Sequence, residues 1–182
     1  KLLGKKNNLK FRGVCSVYLF YDQKVILPKK IHWLYFESEK TLFNRITENK
    51  KLSKFVAPKN QSFLTAEITY SLGDSFSKKS SKEVISQVVK DISKTNLVNN
   101  QNLIDASINY EPYVYPVQFM DYKSETYFIK SFIESFNNLY SVGAGGEFNY
   151  ADSQILFHKS FDLVNSLTNR FNLFSNETKI LN

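Results

Sequence analysis

A single cysteine in 182 residues leaves no disulfide framework, and Cys15 alone cannot supply the thiolates of a structural zinc site. Histidine is nearly as scarce. His32 and His158 stand in unrelated stretches, and no His/Asp/Glu spacing suggests a metal centre. No serine sits in a nucleophile elbow, which removes the simplest hydrolase reading. No run approaches the roughly 18 apolar residues that a membrane span requires. The opening stretch, KLLGKKNNLKFRG, has charge but lacks the long apolar core of a secretory leader, so a cytoplasmic location is expected. Proline and glycine number only four and six, too few for a low-complexity or collagen-like chain. What remains is ample for a packed core: 42% hydrophobic residues, 15% aromatic and 23% charged.

The net charge of +7 is unevenly placed. Residues 1–100 hold 19 Lys/Arg against 8 Asp/Glu, whereas residues 101–182 hold 5 against 9. A basic excess can attract nucleic acid, anionic lipid or an anionic substrate. The lysines are scattered over loops such as ENKKLSKFVAPKN and FSKKSSKE, and only two arginines accompany them in the basic half. No nucleic-acid-binding signature is present. A lysine-rich solvated surface is the plain reading, and nucleic acid is an unlikely partner.

Alternation along GVCSVYLFYD predicts a buried strand from Gly13 to Asp22. IHWLYFES, TLFNRITE and QSFLTAEITYS predict three more strands, with a lysine-rich loop from Lys50 to Asn60. Ser80 and Glu83 then form an S-x-x-E capping box ahead of Val84, Ile85, Val88, Val89 and Ile92 at helical spacing. NLIDASINYEPYVYPV returns to extended chain, since Pro112 and Pro116 forbid a helix. Asp121 is placed to cap a helix through YKSETYFIKSFIESF, and NLYSVG reads as a short buried strand. Asp152 is placed to cap a last helix with Leu156, Leu163, Val164 and Leu167 as its apolar stripe. Early strands on short connections followed by interspersed helices predict an α+β fold with a largely antiparallel sheet.

Half of the glycines fall in one knot, Gly143, Gly145 and Gly146. Alone, G-A-G-G is reminiscent of a dinucleotide fingerprint, but the third glycine is misplaced. Gly146 also lies well before Asp152, whereas the fingerprint opens straight into its helix. Exposed amides and a helix N-terminus still favour an anion there; the alternative is a tight connecting turn. Arg45, embedded in FNRI, suits a salt bridge across a sheet. The aromatic residues of NYEPYVYPVQF, Tyr110, Tyr113, Tyr115 and Phe119, suit either a wall for a flat ligand or ordinary sheet packing.

FNRI, a strand and helix, YPV, and then NLYSVGAGGEFNYADSQI occur in an order similar to the second half of flavin-dependent enzymes. The group resembled comprises flavin-containing amine oxidase, protoporphyrinogen oxidase and UDP-galactopyranose mutase-like proteins. Their late motif runs Gly-Arg-x-Gly-x-Phe-x-Tyr, followed by an Asn or Asp that opens a helix. Gly143, Gly146, Phe148, Tyr150 and Asp152 fall on it, and Ala144 stands where the arginine is usual. The resemblance implies a C-terminal, substrate-domain fragment without the N-terminal Rossmann half, silent by itself. Residues 1–137 would form the substrate-type sheet and helices, and 138–182 a strand–glycine turn–helix completing an FAD site. Gly143, Ala144, Gly145, Gly146, Phe148, Tyr150, Asp152 and Ser153 would meet the cofactor. Arg45, Tyr113 and Tyr115 would lie near the cavity of a small-molecule substrate; the basic half of the chain, not the resemblance, raises the alternative of an anionic one. The competing expectation, read from charge, is a non-enzymatic α+β module whose basic half docks an anionic partner.

Overall fold

The computed structural model describes residues 7–37 and 39–171, and the architecture is α+β. In chain order the elements are β1 (Phe11–Tyr21), β2 (Trp33–Tyr35), β3 (Arg45–Glu48), β4 (Ser62–Ser71), α1 (Ser81–Lys94), β5 (Leu103–Pro116), α2 (Tyr122–Glu134) and α3 (Ser153–Phe171). The strands make one five-stranded sheet in the order β2-β3-β4-β1-β5, with β2–β3, β3–β4 and β4–β1 antiparallel. The chain divides into two compact units, Phe11–Val114 and Lys1–Lys10 with Tyr115–Asn182.

The first unit is built on the alternation of β1. Its odd-numbered residues Cys15, Val17, Leu19 and Tyr21 are buried, and the register sets Val17 opposite Ala66 and Leu19 opposite Leu64. Ile46, Leu64, Ala66, Ile68 and Tyr70 extend that face, and α1 covers it with Val84, Val88 and Ile92. Fully burying each such side chain contributes about 1.5–3 kcal/mol. The capping box is made in full: the Glu83 amide donates to Ser80 Oγ at 3.3 Å, and the Ser80 amide donates to Glu83 Oε2 at 2.8 Å. The other face of the sheet is left half-buried. It carries Tyr18 and Phe20 of β1 beside Phe63, Thr65 and Glu67 of β4, and Arg45 and Thr47 of β3.

Two loops that connect the strands are fastened from beneath. The fully buried Glu48 carboxylate accepts from the amides of Ile26 (2.9 Å) and Leu27 (2.8 Å) and from Ser62 Oγ (3.0 Å). Lys51 Nζ lies 3.3 Å from that carboxylate and donates to the carbonyls of Leu27, Pro28 and Ile31. Lys50 Nζ does the same for the carbonyls of Pro58, Lys59 and Gln61. Two lysines of the stretch read as a solvated surface are therefore turned inward, because uncoiled loop carbonyls need donors that no strand supplies.

The second unit departs from expectation in three places. NLYSVG forms no strand: Leu139, Tyr140 and Val142 are exposed, and no strand among the described residues pairs with them. Apolar character alone does not make a strand without a backbone partner. Asp121 does precede α2, but its side chain makes no capping hydrogen bond. The stripe expected on α3 is only half-buried at Leu156, Leu163 and Leu167, and Val164 is exposed. Neither α2 nor α3 holds a fully buried residue. No helix among the described residues is long and apolar enough to cross a membrane.

Candidate functional site

Two places in the molecule gather chemistry, one in each unit. The first is a cleft of about 320 Å³ on the open face of the sheet, lined by Trp33, Tyr35, Arg45, Thr47, Asn49, Leu52, Thr65 and Glu67. Antiparallel register creates it. Arg45 faces Tyr35 on one side and Glu67 on the other, so three consecutive strands bring one residue each to the same row.

Arg45 is the centre of that row. Its Nη2 makes an ion pair with Glu67 at 2.6 Å, and its Nη1 donates to Tyr35 Oη at 3.1 Å. The guanidinium carbon also lies 5.6 Å from the centroid of the Tyr35 ring. The hydrogen bond to Glu67 raises the Arg45 pKa above its usual value, against the lowering effect of burial, with Tyr35 adding to the rise. The cleft thus presents a neutralised pair rather than a free positive charge. Arg45 Nε is buried and without a hydrogen-bond partner, the one such side-chain atom among the described residues. Exposed Trp33 and Tyr35 supply flat apolar walls, and Thr47, Asn49 and Thr65 supply polar groups. A small ligand with a planar or apolar face and hydrogen-bonding edges suits such a mixture.

Of the residues that the resemblance placed near a substrate cavity, Arg45 lines this cleft, whereas Tyr113 and Tyr115 do not. Tyr113 is exposed and packs edge-on against Phe11 at 5.7 Å. Tyr115, in the second unit, tilts over Tyr150 at 5.4 Å. Trp33, Tyr35, Thr47, Asn49, Leu52, Thr65 and Glu67 were not singled out from sequence. For the strand residues among them the only signal was alternation, which does not reveal which strands are neighbours, and Asn49 and Leu52, in the turn after β3, gave no signal.

The second place is the glycine turn. Gly143 has φ +100°, a conformation that side chains oppose, and its carbonyl accepts from the Glu147 amide at 2.9 Å. The Asn149 amide donates to Ala144 O at 2.9 Å, and Ser141 Oγ donates to Gly146 O at 2.8 Å. A Cβ on Gly146 would meet Ser141 Oγ and Val142 O, both at 2.7 Å, so the turn itself requires glycine there. Gly145 is different. Its φ is ordinary and a Cβ would meet nothing within 4 Å. Within the described residues the amides of Ala144, Gly145 and Gly146 find no acceptor. These three amides stay open for an acceptor from outside the turn.

Phe148 closes the turn at φ +50°, a strained value for a residue with a Cβ. It is held by burial, at 4% exposure, and lies 6.0 Å from the Tyr122 ring of α2. Glu147 is neutralised by Lys159 Nζ, 2.9 and 2.8 Å from its two oxygens. Asp152 and Ser153 stand at the start of α3, where the Asp152 carbonyl accepts from the amides of Ile155 (3.0 Å) and Leu156 (3.2 Å). Tyr150 is exposed. The turn therefore brings Gly143, Ala144, Gly145, Gly146 and Phe148 together and leads through Tyr150 into the helix end at Asp152 and Ser153.

The α+β fold of this chain is shared with known solved structures. Among solved structures it matches reduced UDP-galactopyranose mutase with a TM-score of 0.71 and 17% identity, over 96% of this chain and 36% of that one. It also matches a protein from Exiguobacterium sp. 255-15 assigned as a protoporphyrinogen oxidase, with a TM-score of 0.60 and 14% identity, over 76% of this chain and 31% of that one. At these identities the likeness is one of fold, and the chain spans about a third of the length of each neighbour. No family model matches the sequence, and no curated protein matches it.

Proposed function

We propose that this chain is the substrate-side portion of an FAD-dependent oxidoreductase or mutase-like flavoenzyme, and that alone it is catalytically silent. The observation that carries the reading is the fold likeness, which takes in nearly the whole of this chain but about a third of the mutase. Gly145 supports it independently. Local geometry does not require glycine there, whereas a molecule lying against the unpartnered amides of residues 144–146 would.

On this reading FAD supplies the redox chemistry, as such cofactors do. The residues of the chain bind and orient. The turn from Gly143 to Gly146 and the α3 end at Asp152 and Ser153 meet an anionic or polar edge of the cofactor, with Phe148 and Tyr150 beside it. The usual motif arginine is replaced by Ala144, so the backbone amides carry that contact. The open sheet face forms one wall of a substrate cavity, where Trp33 and Tyr35 take the apolar part of a small molecule. Arg45 and Glu67, already paired, offer it hydrogen bonds rather than net charge. The division of labour falls near residue 138, with the sheet serving the substrate and the later turn and helix serving the cofactor. A neutral substrate fits the cleft better than the anionic one that the overall charge suggests.

The test is the longer parent protein. Purified, it should carry flavin and show flavin absorption, and the 182-residue chain should be colourless. A parent that binds no flavin under native purification would overturn the proposal.

A further inference from the structure

The lysine-rich loop after β3 carries an apolar tip that extends beyond the cleft rim. Phe55 is 85% exposed, and Leu52 and Val56 beside it are exposed as well. Three exposed apolar side chains within five residues concentrate apolar surface that a partner can cover. The loop is not simply loose. Lys50 Nζ gathers the carbonyls of Pro58, Lys59 and Gln61, which fixes the base of the loop and presents its tip. Lys51 ties the neighbouring 27–31 loop to the same base, bringing Lys29 and Lys30 alongside. Leu52 shares the cleft rim with exposed Trp33 and Tyr35.

Within the two loop segments the charge is of one sign, with exposed Asp22 and Glu37 flanking the first. Residues 24–36 and 49–66 contain seven lysines and no aspartate, glutamate or arginine. Lys50 and Lys51 face inward, whereas Lys24, Lys29, Lys30, Lys54 and Lys59 are exposed. The Lys54 ammonium lies 5.1 Å from the Phe55 ring centroid, so the apolar tip and its cation form one unit.

We infer that this loop docks the protein peripherally on an anionic lipid bilayer, with Phe55, Val56 and Leu52 entering the interface and Lys29, Lys30, Lys54 and Lys59 meeting the headgroups. An apolar tip with one ammonium against it, and further exposed lysines on its own and the neighbouring loop, matches a surface with an anionic outside and a hydrocarbon inside. Single-stranded nucleic acid is the less suited polyanion. It would use aromatic and arginine faces for stacking, whereas this tip is partly aliphatic and its cations are all lysine. A second copy of the chain would bring like charges together. The inference shares only Leu52 with the cleft and uses neither the glycine turn nor the paired Arg45, so it stands or falls apart from the flavin reading.

The experiment is vesicle co-sedimentation of the complete natural protein, with the 182-residue chain alongside. Vesicles of phosphatidylcholine alone are compared with vesicles holding about one-third phosphatidylserine, at about 50 mM and about 500 mM salt. Binding is expected only with the anionic vesicles and is expected to fall steeply with salt. Phe55→Ser with Val56→Ser should weaken it about tenfold. Lys54→Glu with Lys59→Glu should weaken it by more than tenfold, since each lysine near such a surface is worth roughly fivefold. All four positions are exposed, so the thermal midpoint should not move. Failure of the complete protein to bind anionic vesicles overturns the inference, even if the shorter chain binds. Binding that survives the Phe55/Val56 variant overturns it too. Tighter binding to poly(U) than to vesicles, lost with the same variants, would replace the bilayer with nucleic acid.

Discussion

Replacing Glu48 with alanine should be among the most damaging single changes in the sheet unit. The carboxylate is wholly buried, accepts hydrogen bonds from the Ile26 and Leu27 amides and the Ser62 hydroxyl, and sits 3.3 Å from Lys51 Nζ. Glu48→Ala strands two backbone donors and one hydroxyl, each at about 1–3 kcal/mol if left unmet. It also removes the counter-ion of an ammonium whose side chain is only 10% exposed. Breaking a buried pair from one side costs about 3–5 kcal/mol. These losses share one group and do not add, so a total of about 3–5 kcal/mol is expected. That is a large part of the roughly 5–15 kcal/mol that holds a domain of this kind together. Glu48→Gln keeps one acceptor but sets an amide NH2 against donors, and should cost about 2–3 kcal/mol. Urea unfolding of the wild type and both variants, followed by circular dichroism, reads this directly as a shift of midpoint at constant slope. A loss below about 1 kcal/mol for Glu48→Ala would refute the reasoning, because the loop amides would then have found other partners.

Four further outcomes follow from particular positions. Burial pushes the Asp91 carboxyl up, but Lys94, Gln87 and the Leu42 amide outweigh it and hold the pKa below the usual value. A depressed folded pKa stabilises above the unfolded value of about 3.9 and is lost as pH falls through the folded one. Asp91→Asn should therefore lower the melting midpoint at neutral pH and flatten its fall below about pH 4, measured by melts across the acid range. Ser80→Ala should cost about 0.5–2 kcal/mol by removing one side of the capping box, read in the same unfolding assay. Gly143→Ala should lower stability by about 1 kcal/mol or more, because its φ of +100° disfavours any Cβ. Gly145→Ala should leave the melt unchanged while, on the proposed reading, loosening flavin in a longer parent, and an equal effect of both substitutions on the melt would count against the distinction.

The framework of the fold was legible where one residue pattern answered to one neighbour. The alternation in Gly13–Asp22 marked β1, and the Ser80/Glu83 pair marked the start of α1. Arg45 was placed across the sheet from a partner that proved to be Glu67, though the partner itself was not visible in the sequence. NLYSVG misled because its side chains suit a strand, and nothing in a local pattern records whether a second backbone is present to pair with it. The cleft was illegible for a similar reason. Trp33, Asn49 and Thr65 are brought together by the order β2-β3-β4, a property of pairing rather than of any one segment. Lys50 and Lys51 read as solvent-facing because an ammonium on a long stem takes its role from carbonyls that only the folded loops supply.

Those two lysines also divide the amines of the basic half by reactivity. Each directs its three N–H bonds at three carbonyls, so neither offers a lone pair without first opening a loop. Acylating reagents and acetyltransferases should modify Lys54 and Lys59 in the native protein and pass over Lys50 and Lys51 until it unfolds. A cross-link or acetyl mark found at Lys51 would then report an opened loop, not a neighbour.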